Sequence, residues 1–327
     1  MLDVLIIGAG PCGLSTAIEC QKRGLSAELI DKHNLVHSIY LYPTHMQFFS
    51  TAEMLEIGDV PFALSNDKPY RDEALAYYRR VAEHYQLAIT PYEEALSIQK
   101  QGDSFIVSTR KRNGTEGTRT ARNVVISTGY FDHPNYIGIP GEDLDKVSHY
   151  FREAHPYAGM NTVIIGGSNS AVDAAMELVR VGAKVSVVYR GSEISPNIKP
   201  WVRPLFEGMV HKGKIALHLE SSVTDIQEAQ VTISSLSGKE QIIENDFVLA
   251  LTGFRPDRQL LASSGVKLDE EMEKPRFNPD TMETTVPGLF VAGVIASGRN
   301  ANEVFIETGR YHGRLIAEHL AGHPAES

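Results

Sequence analysis

Gly8, Gly10 and Gly13 stand in the order G-x-G-x-x-G between the apolar run Asp3–Ile7 and a stretch of small residues patterned as a helix. Such a turn lets a strand reverse tightly into a helix (Gly8), brings phosphate close to the backbone (Gly10) and packs helix against strand (Gly13). The helix start, with Pro11 and Cys12 in its first turn, presents unpaired N–H groups and partial positive charge to a pyrophosphate. Asp31 follows Gly13 by 18 residues at the end of the next β-run, with Lys32 beside it. A carboxylate there accepts ribose hydroxyls. Together these residues form a dinucleotide cradle.

A second cradle lies far downstream. Gly166-Gly167-Ser168-Asn169-Ser170-Ala171 closes the run TVII, with Ser168 where a second glycine is usual. Serine is small enough to admit the phosphates and adds a hydroxyl. The acidic residue after the following β-run is missing, and Arg190 stands 19 residues beyond Ala171. A guanidinium pairs with a ribose 2′-phosphate where a carboxylate repels it, so the spacing predicts NADP(H) rather than NAD(H). The competing reading of Arg190 is a solvated surface arginine. Two dinucleotides on one chain point to hydride transfer between them.

The chain has two cysteines, Cys12 and Cys20. Eight residues apart on one helix, they are separated by about 12 Å of rise and cannot form a disulfide. Two cysteines also rule out a disulfide framework. Cys20 reads as core. Cys12 has two readings: a thiol at a helix start, where the dipole favours thiolate and the bound pyrophosphate opposes it, or a small packing residue. A thiolate there could attack a disulfide, giving a mixed disulfide that a reduced cofactor resolves. His37, His45, His149 and His155 are candidate proton donors to a leaving thiolate, each set against a structural role. His45, between Pro43 and Phe48, is the preferred one.

The elements that place these groups are legible in outline. Asp3–Ile7, a helix from about Pro11 to Arg23 and Ser26–Ile30 form a β-α-β start. Leu75, Tyr78 and Val81 predict a helix over Arg71–Tyr85, after an irregular stretch over His33–Lys68. Alternating runs from Ala95 to Val125 predict a meander, and Asn123–Gly129 a buried strand ending in the turn Ser127-Thr128-Gly129. From Thr162 the plan repeats, with a short meander near Val231–Ile243 and a strand Phe247–Leu251. Pro287–Ala292, Gly293 and a helix from about Asn302 to Leu320 close the chain. The expected class is α/β, with two Rossmann-like dinucleotide-binding domains of three-layer ββα build. One domain, residues 129–253, is inserted in another made of 1–128 and 254–327.

At 327 residues the chain suffices for two full cores. The formal charge of −10 is spread without basic blocks, which disfavours nucleic acid, and no apolar run approaches a membrane span. Without a charged signal region at its start, the chain is expected in the cytoplasm.

GAGPCG with Asp31, the STG and LTG turns, GGSNSA with Arg190, and TTVPGLFVAG together resemble pyridine-nucleotide–flavin oxidoreductases of the low-molecular-weight thioredoxin-reductase type. The resemblance spans nearly the whole chain. It implies FAD on the split domain and NADPH on the inserted one. Two departures stand out: no cysteine follows Cys20, so the Cys-x-x-Cys relay is missing, and Gly293 is followed by Val294 where an aspartate normally meets the flavin's ribityl chain. Both fit a narrower group. GAGPCG, YLYPTHMQFFSTAEMLEIGDVPF and GVIASGRNANEVFIETGR resemble the bacillithiol-disulfide (bacilliredoxin) reductases of Firmicutes, which keep a lone cysteine at the position of Cys12. That resemblance implies a disulfide substrate from the bacillithiol system, either bacillithiol disulfide or bacilliredoxin, and a homodimer through the FAD domains.

By the same resemblance, Thr128, Gly129, Gly293, Val294 and the N–H groups of Val304 and Phe305 contact the flavin nucleotide. Glu303 either contacts the ring or favours the helix start. Ser50-Thr51 is a further hydrogen-bonding candidate for FAD. Lys199, Trp201 and Arg203 either help to hold NADPH or lie in a solvated loop. Competing classes are a flavin monooxygenase (suggested by GIPGEDLDKVSHYF), a ferredoxin–NADP reductase of thioredoxin-reductase-like build, and a non-enzymatic dinucleotide sensor.

Overall fold

Val4, Leu5 and Ile6 are fully buried in succession, the mark of an inner parallel strand covered on both faces. They belong to β1 (Leu2–Ile7), which α1 (Pro11–Lys22) and β2 (Ala27–Asp31) follow. The structure is a computed structural model and describes residues 1–299 and 303–322. The chain divides into two units, one of Met1–Leu41, His45–His133 and Phe254–Ser327, the other of Tyr42–Thr44 and Pro134–Gly253.

The first unit continues with α2 (His37–Leu41), α3 (Ala52–Leu55), α4 (Arg71–His84), β3 (Ala88–Pro91), β4 (Glu93–Gln101), β5 (Ser104–Lys111) and β6 (Glu116–Ile126). The stretch expected to be irregular thus contains two short helices. In α4 the buried stripe is Ala74, Tyr77, Tyr78, Val81 and Ala82, with Leu75 at its edge. The long β6 is shared. Its second half pairs in parallel with β1, while its first half pairs antiparallel with β5, which leads on to β4.

The second unit holds β7 (Val147–Ser148), β8 (Asn161–Ile165), α5 (Asn169–Arg180), β9 (Lys184–Val188), α6 (Arg203–His211), β10 (Ile215–His218), β11 (Ser221–Gln227), β12 (Gln230–Ser235), β13 (Glu240–Glu244) and β14 (Phe247–Ala250). Its parallel sheet runs β10-β9-β8-β14-β7, and β11-β12-β13 form a separate meander. Val163, Ile165, Val188 and Val248 pack with Val223, Ile226, Val231 and Ile233 of that meander. Ile164, Val185, Val187 and Leu249 pack instead with Ala171, Val172, Ala175 and Phe206 of the helices. The alternation of side chains along each strand therefore yields meander, sheet and helix layers.

The chain then completes the first unit with α7 (Gln259–Ser263), β15 (Leu289–Val291), α8 (Ile306–Gly309) and α9 (His312–Leu320). β15 pairs in parallel with the second half of β6. The expected last helix is in fact two. The break is held by the Ser15 hydroxyl, which donates to the Arg310 carbonyl (2.6 Å), and by Arg310 Nη1, which donates to the carbonyls of Glu53 and Glu56. Asn302, where that helix was expected to begin, lies outside the described residues. α9 lies so close to α1 that a Cβ on Gly313 would come within 2.5 Å of Thr16 Cα.

Candidate active site

The first glycine turn has the geometry its spacing predicts. Gly8 has φ +112°, and a Cβ there would lie 2.7 Å from the Ser127 carbonyl oxygen. A Cβ on Gly13 would collide with the Gly8 carbonyl, whereas one on Gly10 would meet nothing within 4 Å. Gly8 and Gly13 are thus required by packing, and Gly10 faces open space at the start of α1. The Ser127 hydroxyl fixes the turn by donating to the carbonyls of Ile7 (3.1 Å) and Gly8 (2.9 Å). Thr128 and Gly129 continue from it, and a Cβ on Gly129 would sit 3.0 Å from Ser38 Oγ.

Asp31 sits where the ribose carboxylate was expected. Its Oδ2 accepts from Ala9 N–H (2.7 Å) and its Oδ1 from His33 N–H (2.8 Å). Burial pushes its carboxyl above the usual range, against the pull of those two amides. Lys32 is committed elsewhere, 2.7 Å from Asp132 and 3.2 Å from His133 Nε2. Burial works against the Asp132 charge, yet Lys32 holds that carboxyl below its ordinary value.

Cys12 lies on the first turn of α1, half-buried. A Cβ on Gly293 would stand 2.9 Å from its Sγ and one on Gly309 2.8 Å, so the thiol occupies the space those glycines leave. Burial pushes the thiol up to about 12, and the Glu307 carboxylate adds to the shift. At neutral pH Cys12 is a thiol: desolvation and Glu307 prevail over the helix dipole that was weighed in favour of thiolate. Cys20 is fully buried, as expected.

Ser50 donates its hydroxyl to Glu307 Oε1. The hydroxyl expected to face FAD is therefore engaged with Glu307, the acid that adds to the effect of burial on Cys12. Phe305 N–H is 3.3 Å from Thr308 Oγ1 in the cap of α8, and Val304 packs against the Gly309 position. Glu303 is ion-paired with Lys274 (2.9 Å). Gly293, at φ +79°, donates its N–H to His312 Nδ1 (3.1 Å), and Val294 accepts the Ser297 hydroxyl (2.6 Å). Burial pulls His312 from 6.5 down to about 4, so the ring is neutral and its Nδ1 is an acceptor. Sequence reasoning passed over His312, Ser127 and Gly309. The recurring x-Thr-Gly turn has leucine, Leu251, at the position of Ser127, so no sequence signal pointed to that hydroxyl.

Of the histidines, His37 Nδ1 is 2.6 Å from Asn34 Oδ1, and its ring stacks on that of His33. His149 faces Glu142 at 3.6 Å, and His155 begins a 3₁₀ turn. His45 is exposed, and no hydrogen bond or ion pair among the described residues links it to Cys12, Ser50 or Glu307.

The second turn repeats the first. Gly166 has φ +145°, and a Cβ there would lie 2.5 Å from the Leu251 carbonyl oxygen and 3.3 Å from Ala171 Cβ. Ser168 and Ser170 are exposed at the start of α5, with hydroxyls that have no protein partner among the described residues. Arg190, just beyond β9, is exposed and likewise makes no ion pair among them. Lys199 is instead bound to Asp173 (3.0 Å), and Arg203 donates to the carbonyls of Ile194 and Ser195. Trp201 is 61% exposed. Both cradles fit a dinucleotide: glycines forced by close approach, an open helix start, and a carboxylate at the end of the second strand in one against an exposed cation in the other.

This fold and these cradles belong to the pyridine nucleotide-disulphide oxidoreductase family, whose model matches residues 5–293; the chain is a member of it. It is therefore a flavin-dependent oxidoreductase that works with FAD and a pyridine nucleotide. Among characterised relatives it is 51% identical over 318 residues, 97% of each chain, to the bacilliredoxin reductase Bdr of Bacillus subtilis (strain 168). The bacillithiol disulfide reductase Bdr (YpdA) from Bacillus cereus superposes with a TM-score of 0.96 at 50% identity, covering 98% of this chain and 99% of that one. The Staphylococcus aureus counterpart gives 0.93 at 44% identity, covering 98% of each.

Proposed function

We propose that this enzyme uses NADPH to reduce disulfides of the bacillithiol system, either bacillithiol disulfide or bacillithiolated bacilliredoxin. The two cradles carry the reading: the first unit, with Asp31, takes FAD, and the second, with Arg190, takes NADPH. Bound there, FAD would supply the two-electron chemistry that links NADPH oxidation to disulfide reduction. Gly8, Gly10, Pro11, Cys12 and Gly13 receive the FAD pyrophosphate at the start of α1, and Asp31 orients the ribose. The backbone N–H groups at the start of α5 hold the NADPH pyrophosphate, with Gly166, Gly167, Ser168, Ser170 and Ala171 shaping the turn, and Arg190 pairs with its 2′-phosphate. Thr128, Gly129, Gly293 and Val294 line the flavin end of the first cradle.

Cys12 is the sulfur we assign to the disulfide. Its Sγ bonds to one substrate sulfur while the other leaves as a thiolate, and the proton that Cys12 gives up ends on that leaving sulfur. The substrate sulfur bonded to Cys12 comes off as a second thiol, and Cys12 returns to its thiol form, when the mixed disulfide takes up two electrons and two protons. His45, exposed and unlinked to Cys12, is not assigned a step. Two free cysteines and a close relationship to bacterial reductases support a cytoplasmic enzyme, and the family resemblance supports a homodimer.

Anaerobic reduction by NADPH, followed by mixing with bacillithiol disulfide, bacillithiolated bacilliredoxin or oxidised thioredoxin, tests the substrate. Rapid flavin reoxidation is expected with the first two. Reoxidation by thioredoxin alone overturns the assignment. Oxygen mixing that accumulates a flavin hydroperoxide, or turnover with ferredoxin alone, would point to the monooxygenase or ferredoxin–NADP reductase class.

A further inference from the structure

Three cations, Arg190, Lys199 and Arg203, lie between β9 and the first turn of α6, and two of them are committed to the protein itself. Lys199 Nζ lies 3.0 Å from Asp173 Oδ2, while Arg203 Nη2 donates to the carbonyls of Ile194 (3.0 Å) and Ser195 (3.2 Å). What they brace is a strap, residues 191–199, folded back over the N-terminal end of α5. Ser195 N–H donates to the Gly167 carbonyl (3.0 Å), and Ile194 and Ile198 are buried beneath. The Tyr189 ring lies flat on Gly167, where any Cβ would strike it. A Cβ on Gly191 would stand 2.6 Å from the same ring.

Asn169 is the bolt. Its Nδ2 donates to the Asn197 carbonyl (2.9 Å), and its Oδ1 accepts Lys199 N–H (3.1 Å). The carboxamide donates and accepts at once; alanine does neither, and an aspartate carboxylate cannot donate. Arg190 sits between Tyr189 and Gly191, whose carbonyls accept the N–H groups of Ser221 and Glu220, and the strap runs on directly from it, so the pin at Asn169 acts on its direction together with those bonds. Asn169 was expected to bind the nucleotide directly, but its side chain is occupied with the strap.

We infer that Asn169 is a positioning residue for recognition of a nucleotide 2′-phosphate. Its amide pins the strap to the start of α5 and thereby aims Arg190 at the phosphate. The inference rests on the NADPH reading above. Freeing the strap should cost affinity only through the 2′-phosphate, because the glycine turn that receives the pyrophosphate keeps its own packing against Leu251 and Ala171.

The test uses the FAD-loaded enzyme, with 2′,5′-ADP and 5′-AMP as calorimetric probes and with KM measured for NADPH and NADH. Arg190→Ala should weaken 2′,5′-ADP about tenfold or more, the range of a charge-assisted hydrogen bond, and leave AMP unchanged. Asn169→Ala should weaken 2′,5′-ADP about threefold to tenfold, leave AMP alone, and raise the KM for NADPH but not for NADH. Equal weakening of both probes by Asn169→Ala would show a damaged cradle and overturn the inference. So would an unchanged 2′,5′-ADP affinity in Asn169→Ala where Arg190→Ala loses it. If Arg190→Ala itself leaves 2′,5′-ADP untouched, the nucleotide assignment fails and the inference falls with it.

Discussion

Replacing His312 with asparagine should flatten the acid limb of the enzyme's stability. His312 Nδ1 accepts the Gly293 N–H at 3.1 Å, and burial lowers the ring from 6.5 to about 4. The folded ring refuses a proton that the unfolded chain accepts. Its contribution is therefore present above pH 6.5 and is lost as pH falls through 6.5 toward 4. The fall from 6.5 to about 4 sets a limit of about 3 kcal/mol, of which about 2 kcal/mol is lost between pH 7 and pH 4.5. Asparagine keeps an acceptor for Gly293 and does not titrate. Urea unfolding of both proteins in excess FAD, at pH 7 and pH 4.5, read through exchange protection of the α9 amides, follows the first unit alone. The native enzyme should lose about 2 kcal/mol more than the variant across that interval. Equal losses within about 0.5 kcal/mol would show that His312 is not the buried neutral acceptor described here.

Glu307→Gln removes the charge that opposes ionisation of Cys12, so alkylation of that thiol by iodoacetamide at pH 8 should quicken about tenfold; an unchanged rate would leave desolvation as the sole cause. Gly309→Ala sets a Cβ 2.8 Å from Cys12 Sγ and should destabilise by about 1–3 kcal/mol in denaturant, with Cys12→Ala in the same chain recovering part of the loss. Cys12→Ala alone should retain FAD and its reduction by NADPH while disulfide turnover falls by more than about 100-fold; native-like turnover would take Cys12 out of the chemistry.

Both glycine turns, their strands and the two meanders were legible because each is a local signal: residues that leave room for phosphate, and alternation of period two. The same holds for α4, whose buried stripe follows its helical spacing. Local pattern could not report what distant segments share. His312 matters because Gly293 donates to it, and Ser127 because it binds the carbonyls of Ile7 and Gly8. The final helix breaks at Arg310–Tyr311 because Ser15 and the carbonyls of α3 hold it there, against an unbroken helical pattern in the sequence. Charge was misleading in the same way. Lys32, Lys199, Arg203 and Glu303 have nucleotide-binding residue types, yet each is paired within the protein. Of the three cations between β9 and the first turn of α6, Arg190 is the one with no ion pair or hydrogen bond among the described residues, which composition cannot distinguish.

The second half of β6 is paired on its outer edge by β15, a strand made after the whole inserted unit. A ribosome therefore releases the complete second unit while the first still lacks β15, Gly293, His312 and α9. Until they arrive, a buried sheet edge and the flank of α1 meant for α9 stay uncovered, the kind of surface on which nascent chains stick together. Translation halted near Gly253 would leave a polypeptide whose second unit has all its strands while the first still lacks the strand, the Gly293 turn and the helix that cover it.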